Sequence, residues 1–166
     1  MHDDITFSAT YPFPPEVTWR ALSSSQAFAA WLMENTFVEP KVGHRFRFTD
    51  RPRPFWDGVC ECEVVEAEAP RRLALKWGMD DKGGHTRVEW TLSPTPDGGT
   101  HLQFRHSGLK GFMGWVMKKG MTKGWQRMVE RSIPHVAEAA SAGSIPSRAE
   151  VKARLSETPR APAPGR

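Results

Sequence analysis

A chain of 166 residues, 39% of them hydrophobic, is long enough to fold around a core of its own. No run approaches the ~18 apolar residues of a membrane span, so a transmembrane helix is excluded. The net charge of +4 is unevenly placed: residues from Ser141 onward carry +3 of it, and Arg105 to Arg131 hold seven basic residues against one acid, Glu130.

The start, Met1-His2-Asp3-Asp4, is acidic and offers no hydrophobic leader, so cytoplasmic residence is expected. Ile5 to Thr10 alternates weakly and reads as an opening strand. Tyr11-Pro-Phe-Pro-Pro-Glu then leads into a helix from Pro15, with proline and Glu16 suited to its first turn. Ser23 to Ser25 end it and cap a short second helix through Trp31. Arg45 to Thr49 alternates cleanly, Phe46 and Phe48 on one side and Arg45 and Arg47 on the other.

A meander follows. Trp56 to Glu66 reads as a long strand with Gly58, Cys60, Cys62 and Val64 inward. Leu73 to Trp77, Thr86 to Leu92 and Thr100 to His106 continue it, sending Leu73, Leu75, Trp77, Val88, Trp90, Leu92, Leu102, Phe104 and His106 to the same face. Asp80 to Gly84 and Pro94 to Gly99 are its turns. Cys60 and Cys62 stand two apart on one strand face, which suits neither a disulfide nor a zinc site, and buried reduced thiols are expected. His2, His44, His85, His101 and His135 show no ligand spacing, so neither a metal nor a cofactor is expected.

From Trp115 to Ala140, Met117, Met121, Trp125, Met128, Val129 and Val136 recur at steps of three and four, which predicts one long helix. Lys119, Lys123, Arg127 and Arg131 fall on nearly the opposite face. Pro134 is expected to kink or shorten its last turns. An antiparallel sheet with one buried face needs an apolar cover, and this helix supplies it. The predicted fold is α+β, a helix-grip: a curved antiparallel sheet around a long C-terminal helix, with two short helices after the first strand. Residues 1–140 form that domain. Residues 141–166 are an Ala-, Pro- and Arg-rich tail in which Ser147-x-x-Glu150 is a capping-box pattern, predicting a short helix over 147–156.

The ordered set of Pro14-Pro15-Glu16-Val17-x-Trp19-x-Ala21-Leu22, Trp31, Val42-Gly43, Gly58, Glu63-Val64 and Pro70-x-x-Leu73-x-x-x-Trp77 resembles a known family. Gly99-Thr100-x-Leu102, His106-Ser107-Gly108 and Gly124-Trp125 complete the set. The family is that of homologues of the activator of the heat-shock protein 90 ATPase, within the START-like (SRPBCC) superfamily. The resemblance spans Ile5 to Ala140 and implies the same helix-grip fold. Superfamily relatives bind lipids or aromatic polyketides between sheet and helix, and some are cyclases.

The inward set is strongly aromatic, and the chain has seven Trp. Either these rings fill a solid core or they line a site for a small hydrophobic or aromatic ligand. The candidate ligand-binding residues are Phe46, Phe48, Trp56, Cys60, Trp77, Trp90, Phe104, His106, Phe112, Met121, Trp125 and Met128. His106 is read either as a polar handle or acid/base group, or as a hydrogen-bond partner of backbone at the strand end. With no inward Asp or Glu beside it, no catalytic residue is assigned. The glycine-spaced loop Gly108 to Gly114 matches no phosphate-binding fingerprint and is read as a mobile lid tipped by Phe112 and Met113. The expected function is therefore non-catalytic ligand binding. The alternatives are a chaperone-related module meeting a protein partner through Lys119, Lys123, Arg127 and Arg131, or a polyketide-cyclase- or hydrolase-like enzyme using His106; a homodimer is a candidate assembly. Nucleic-acid binding is not expected, because the basic stripe lacks aromatics for stacking.

Overall fold

A computed structural model describes residues 4–54 and 56–156 of the protein. The chain runs β1 (Ile5–Tyr11), α1 (Pro15–Trp19), α2 (Ser25–Trp31), β2 (Glu34–Asn35), β3 (Arg45–Thr49), β4 (Val59–Glu68), β5 (Arg72–Trp77), β6 (Thr86–Pro94) and β7 (Thr100–Ser107). Then come α3 (Gly111–Arg127), a π-helical turn (Met128–Ser132), α4 (Ile133–Ser141) and α5 (Arg148–Ser156). The strands make one antiparallel sheet in the order β1-β7-β6-β5-β4-β3-β2. Its alternation is that of a sheet buried on one face: Phe46 and Phe48 lie inside while Arg45 and Arg47 face water. A break in register between Val64 and Glu66 marks a bulge in β4, a local source of bend and twist. On the outer face Arg72 and Arg87 each pair with both Glu66 and Glu89, tying β4, β5 and β6 together.

This is the α+β helix-grip that alternation and helical spacing predict. α3, the π-turn and α4 form one continuous helix across the inner face, and it continues through Pro134. Pro134 has no N–H to give and would crowd the carbonyl one turn back. The backbone answers with the wider turn at Met128–Ser132, where the N–H of Ile133 reaches back five residues to the carbonyl of Met128. In that register the donor for the Val129 carbonyl would be residue 134, a proline. The buried Tyr11 hydroxyl at the end of β1 donates to that carbonyl instead, fastening sheet to helix. Burial also pushes the Tyr11 phenol pKa well above its ordinary range.

Three boundaries differ from the sequence expectation. β4 begins at Val59 rather than Trp56, because Gly58 turns at φ +87 and Trp56 pairs back with Arg53. β2 is two residues long, too short for any period to announce it. The long helix begins at Gly111, so Phe112 and Met113 belong to its first turn rather than to a loop.

Past Ser141, the segment Arg148–Ser156 is helical. The Ser147 hydroxyl accepts from the Glu150 N–H at 3.2 Å and the Glu150 carboxylate accepts from the Ser147 N–H at 2.6 Å, a reciprocal capping box. Buried Val151 and an Arg148–Asp50 ion pair of 3.2 Å dock α5 beside α2 and the π-turn. The proline-rich end from residue 157 lies outside the described residues.

Candidate functional site

Alternation along three neighbouring strands and the buried side of the long helix converge on one cluster. β5 ends on Trp77, β6 carries Trp90, β7 carries Phe104 and His106, and α3 brings down Trp125. All five are buried. Trp125 stands 4.5 Å from Phe104 and 5.5 Å from Trp77, ring centre to ring centre. Trp77 in turn lies 5.4 Å from Phe48, and Phe48 5.2 Å from Phe46. Most of these pairs are tilted or edge-to-face, the arrangement that ring quadrupoles favour. Phe28 and Trp31 of α2 close the far side at 6.4 Å and 6.1 Å from Trp90.

His106 is the one polar knot in this wall. The indole N–H of Trp125 donates to His106 Nδ1 at 3.2 Å. Nδ1 therefore accepts, the proton sits on Nε2, and Nε2 donates to Thr86 Oγ1 at 2.8 Å. The Thr86 hydroxyl in turn donates a hydrogen bond to the Trp77 carbonyl at 3.2 Å. The partners of His106 are thus side chains, and the backbone bond expected at the strand end is not the one formed. Burial holds its pKa down to about 4, outweighing the opposing pull of Asp4, so the ring is neutral near pH 7. With both nitrogens engaged, it has no free lone pair for proton transfer.

The predicted site residues fall into three groups. Phe46, Phe48, Cys60, Trp77, Trp90, Phe104, His106 and Trp125 are brought together in the buried wall. Trp56, Met121 and Met128 are partly buried and pack against its edge. Phe112 stands apart: it is 75% exposed and stacks on Trp115 at 5.9 Å. The expected lid is likewise replaced by helix, held at its root by buried Leu109. Cys60 and Cys62 are free thiols whose sulfurs lie 3.8 Å apart. Lys119, Lys123, Arg127 and Arg131 all face water.

Thr86, Phe28 and Trp31 were not among the predicted site residues. The signal for Thr86 was present, since it has the same strand parity as Val88, Trp90 and Leu92. Nothing local to α2 says that Phe28 and Trp31 reach the sheet. A hollow of about 450 Å³ lies on the outer face of the sheet, lined by Thr6, Ser8, Arg72, Glu89, Gln103 and Arg105 among others. Among the described residues no three His, Cys, Asp or Glu are grouped to hold a metal, and no helix is long and apolar enough to cross a membrane.

A curved antiparallel sheet closed by a long helix, with an aromatic inner wall, defines a START-like helix-grip protein. The chain belongs to the family described as "Activator of Hsp90 ATPase homolog 1-like protein", whose sequence model matches residues 12–138. A Mesorhizobium loti protein of known structure is 33% identical, with a TM-score of 0.63 over 75% of this chain and 89% of its own. A Bacillus halodurans protein is 28% identical, with a TM-score of 0.65 over 80% and 94%. The Aha1 dimer of Colwellia psychrerythraea shares the fold at 14% identity, with a TM-score of 0.61 over 76% and 96%. No curated protein matches the chain.

Proposed function

We propose that this protein is a non-catalytic binder of a small hydrophobic or aromatic molecule, held between the sheet and the long helix. The observation that carries this reading is Trp90. It is fully buried among Phe28, Trp31, Phe104 and Trp125, yet its indole N–H has no acceptor among the described residues. A buried donor left unpaired costs about 1–3 kcal/mol. A flat guest with one carbonyl, ether or hydroxyl oxygen would meet rings on its faces and this donor at its edge. The described rings touch one another, so a guest needs yielding neighbours. Met121 and Met128, partly buried beside the wall, are unbranched thioethers that move without disturbing the sheet. The engaged nitrogens of His106 and the lack of any buried Asp or Glu among the described residues favour binding over acid/base chemistry.

The reduced thiols of Cys60 and Cys62 suit a reducing compartment, and we place the protein in the cytoplasm. A second reading, in which the long helix itself meets a macromolecular partner, is favoured by the exposure of Phe112 and Trp115.

The test of the first reading is fluorescence titration with the uncharged probe N-phenyl-naphthylamine. Binding by the wild type that is lost in Met121→Trp, which crowds the approach to the wall, and kept in Phe112→Ser/Trp115→Ser, supports it. Equal binding by wild type and Met121→Trp contradicts it.

A further inference from the structure

The first turns of α3 present large apolar side chains to water. Phe112 is 75% exposed, Met113 53%, Trp115 50%, Met117 40% and Val116 38%. Between Gly114 and Trp125 no residue of the helix is fully buried. This end therefore projects beyond the core it helps to cover. At 100° per residue, Phe112, Trp115, Val116, Lys119, Lys123 and Arg127 share the outward stripe, apolar at its start and cationic behind; the basic stripe thus carries two exposed aromatic rings, contrary to the expectation from sequence that it lacks them. Phe112 and Trp115 are stacked, and the Lys119 ammonium sits 4.1 Å over the Trp115 ring. Lys110 and Lys118 flank the same end, and no acid occurs between Arg105 and Glu130.

The tip is firmly mounted. Leu109 is buried, Gly111 turns the chain at φ +66, and a Cβ on Gly114 would come within 2.8 Å of the Leu109 carbonyl carbon. The first helical turn is thus folded tightly onto its own root. A site held this way loses little freedom on binding.

We propose that this tip docks on the surface of an anionic phospholipid bilayer. Phe112, Trp115 and Val116 enter the headgroup layer, and the lysines meet lipid phosphates. The shape and the charge choose this occupant. The apolar surface is a convex helix end rather than a groove, and tryptophan suits the membrane interface. Lys119 stands four residues, about 6 Å, behind Trp115, comparable to the roughly 5–10 Å depth of interfacial insertion. Long lysine stems let the rings sink while the charges stay in the headgroups. A second copy of the chain would bring the same cations against one another.

The experiment is co-sedimentation of the full chain with vesicles of phosphatidylcholine alone and of phosphatidylcholine mixed with phosphatidylglycerol, at low and near-physiological salt. The expected result is binding to the mixed vesicles that weakens with salt. Phe112→Ser/Trp115→Ser is expected to lower it at least ~10-fold. Lys119→Glu/Lys123→Glu is expected to lower it at least ~30-fold and to remove the preference for anionic lipid. These side chains face water, so circular dichroism should show both variants folded. Failure to sediment with the mixed vesicles, or equal binding by either variant, overturns the proposal. Concentration-dependent self-association abolished by Phe112→Ser/Trp115→Ser also overturns it and assigns the tip to a homodimer. The neutral-probe titration does not involve this tip, so the two proposals fail independently.

Discussion

Replacing His106 by Gln should flatten the pH dependence of stability in a window above that of Glu63 and Glu66. In the folded protein burial holds the imidazole pKa at about 4, whereas in the unfolded chain it returns to its ordinary ~6.5. Between those values the unfolded state binds a proton that the native state does not. Stability therefore rises with pH through the window; it is fully present above about 6.5 and is lost progressively as pH falls toward 4. Going from about pH 7 to about pH 5, this one group removes about 2 kcal/mol. That is a large fraction of the 5–15 kcal/mol typical of a domain. Glu63 and Glu66 act lower. Hydrogen bonds from Arg45 and from Arg72, respectively, hold their carboxyl pKa values below the ordinary range. Their contribution is present above the ordinary carboxylate pKa and is lost only beneath it. Urea unfolding of wild type and His106→Gln at several pH values separates the effects. The variant should be less stable near neutrality, because the links to Trp125 and Thr86 are disturbed, yet its profile should be flatter between pH 7 and pH 5 by about 2 kcal/mol. Parallel profiles would refute the buried neutral imidazole.

Tyr11→Phe strips the Val129 carbonyl of its donor and should cost about 1–2 kcal/mol in urea unfolding, with an unchanged denaturant slope. Gly58→Ala should be costlier than an ordinary surface change, about 2 kcal/mol or more by thermal melting. Its φ is +87, and a Cβ there would lie 2.3 Å from the Asp50 carbonyl oxygen. Ser147→Ala should raise amide exchange across Arg148–Ser156, by about 1 kcal/mol of local stability, and leave the sheet's slow amides unchanged.

The sheet was largely legible because one face meets the core and the other meets water. Arg45–Thr49 could be read residue by residue, and the same parity sent Trp77, Trp90, Phe104 and His106 inward. Helical spacing located the long helix but not how deeply each turn would sit. Met117 shares the apolar periodicity with Trp125, yet it is 40% exposed, because the helix end overruns the sheet that would cover it. Pro134 was visible in the sequence, but its consequence depended on Tyr11, 118 residues away from Val129, offering a hydroxyl where the helix lost an N–H. His106 could be placed in the wall from alternation alone, while Trp125 and Thr86, its partners, come from other elements that meet only in three dimensions. Trp90 shows the same limit: no local pattern distinguishes an indole with a partner from one without.

The central claim, that the aromatic wall holds a small hydrophobic guest, is tested most directly by native mass spectrometry of freshly purified protein against a denatured control. The account predicts an added small-molecule mass in the native spectrum that denaturation releases, or uptake of N-phenyl-naphthylamine when the protein is incubated with it. A native spectrum showing the bare chain alone, unchanged by that incubation, would contradict the claim.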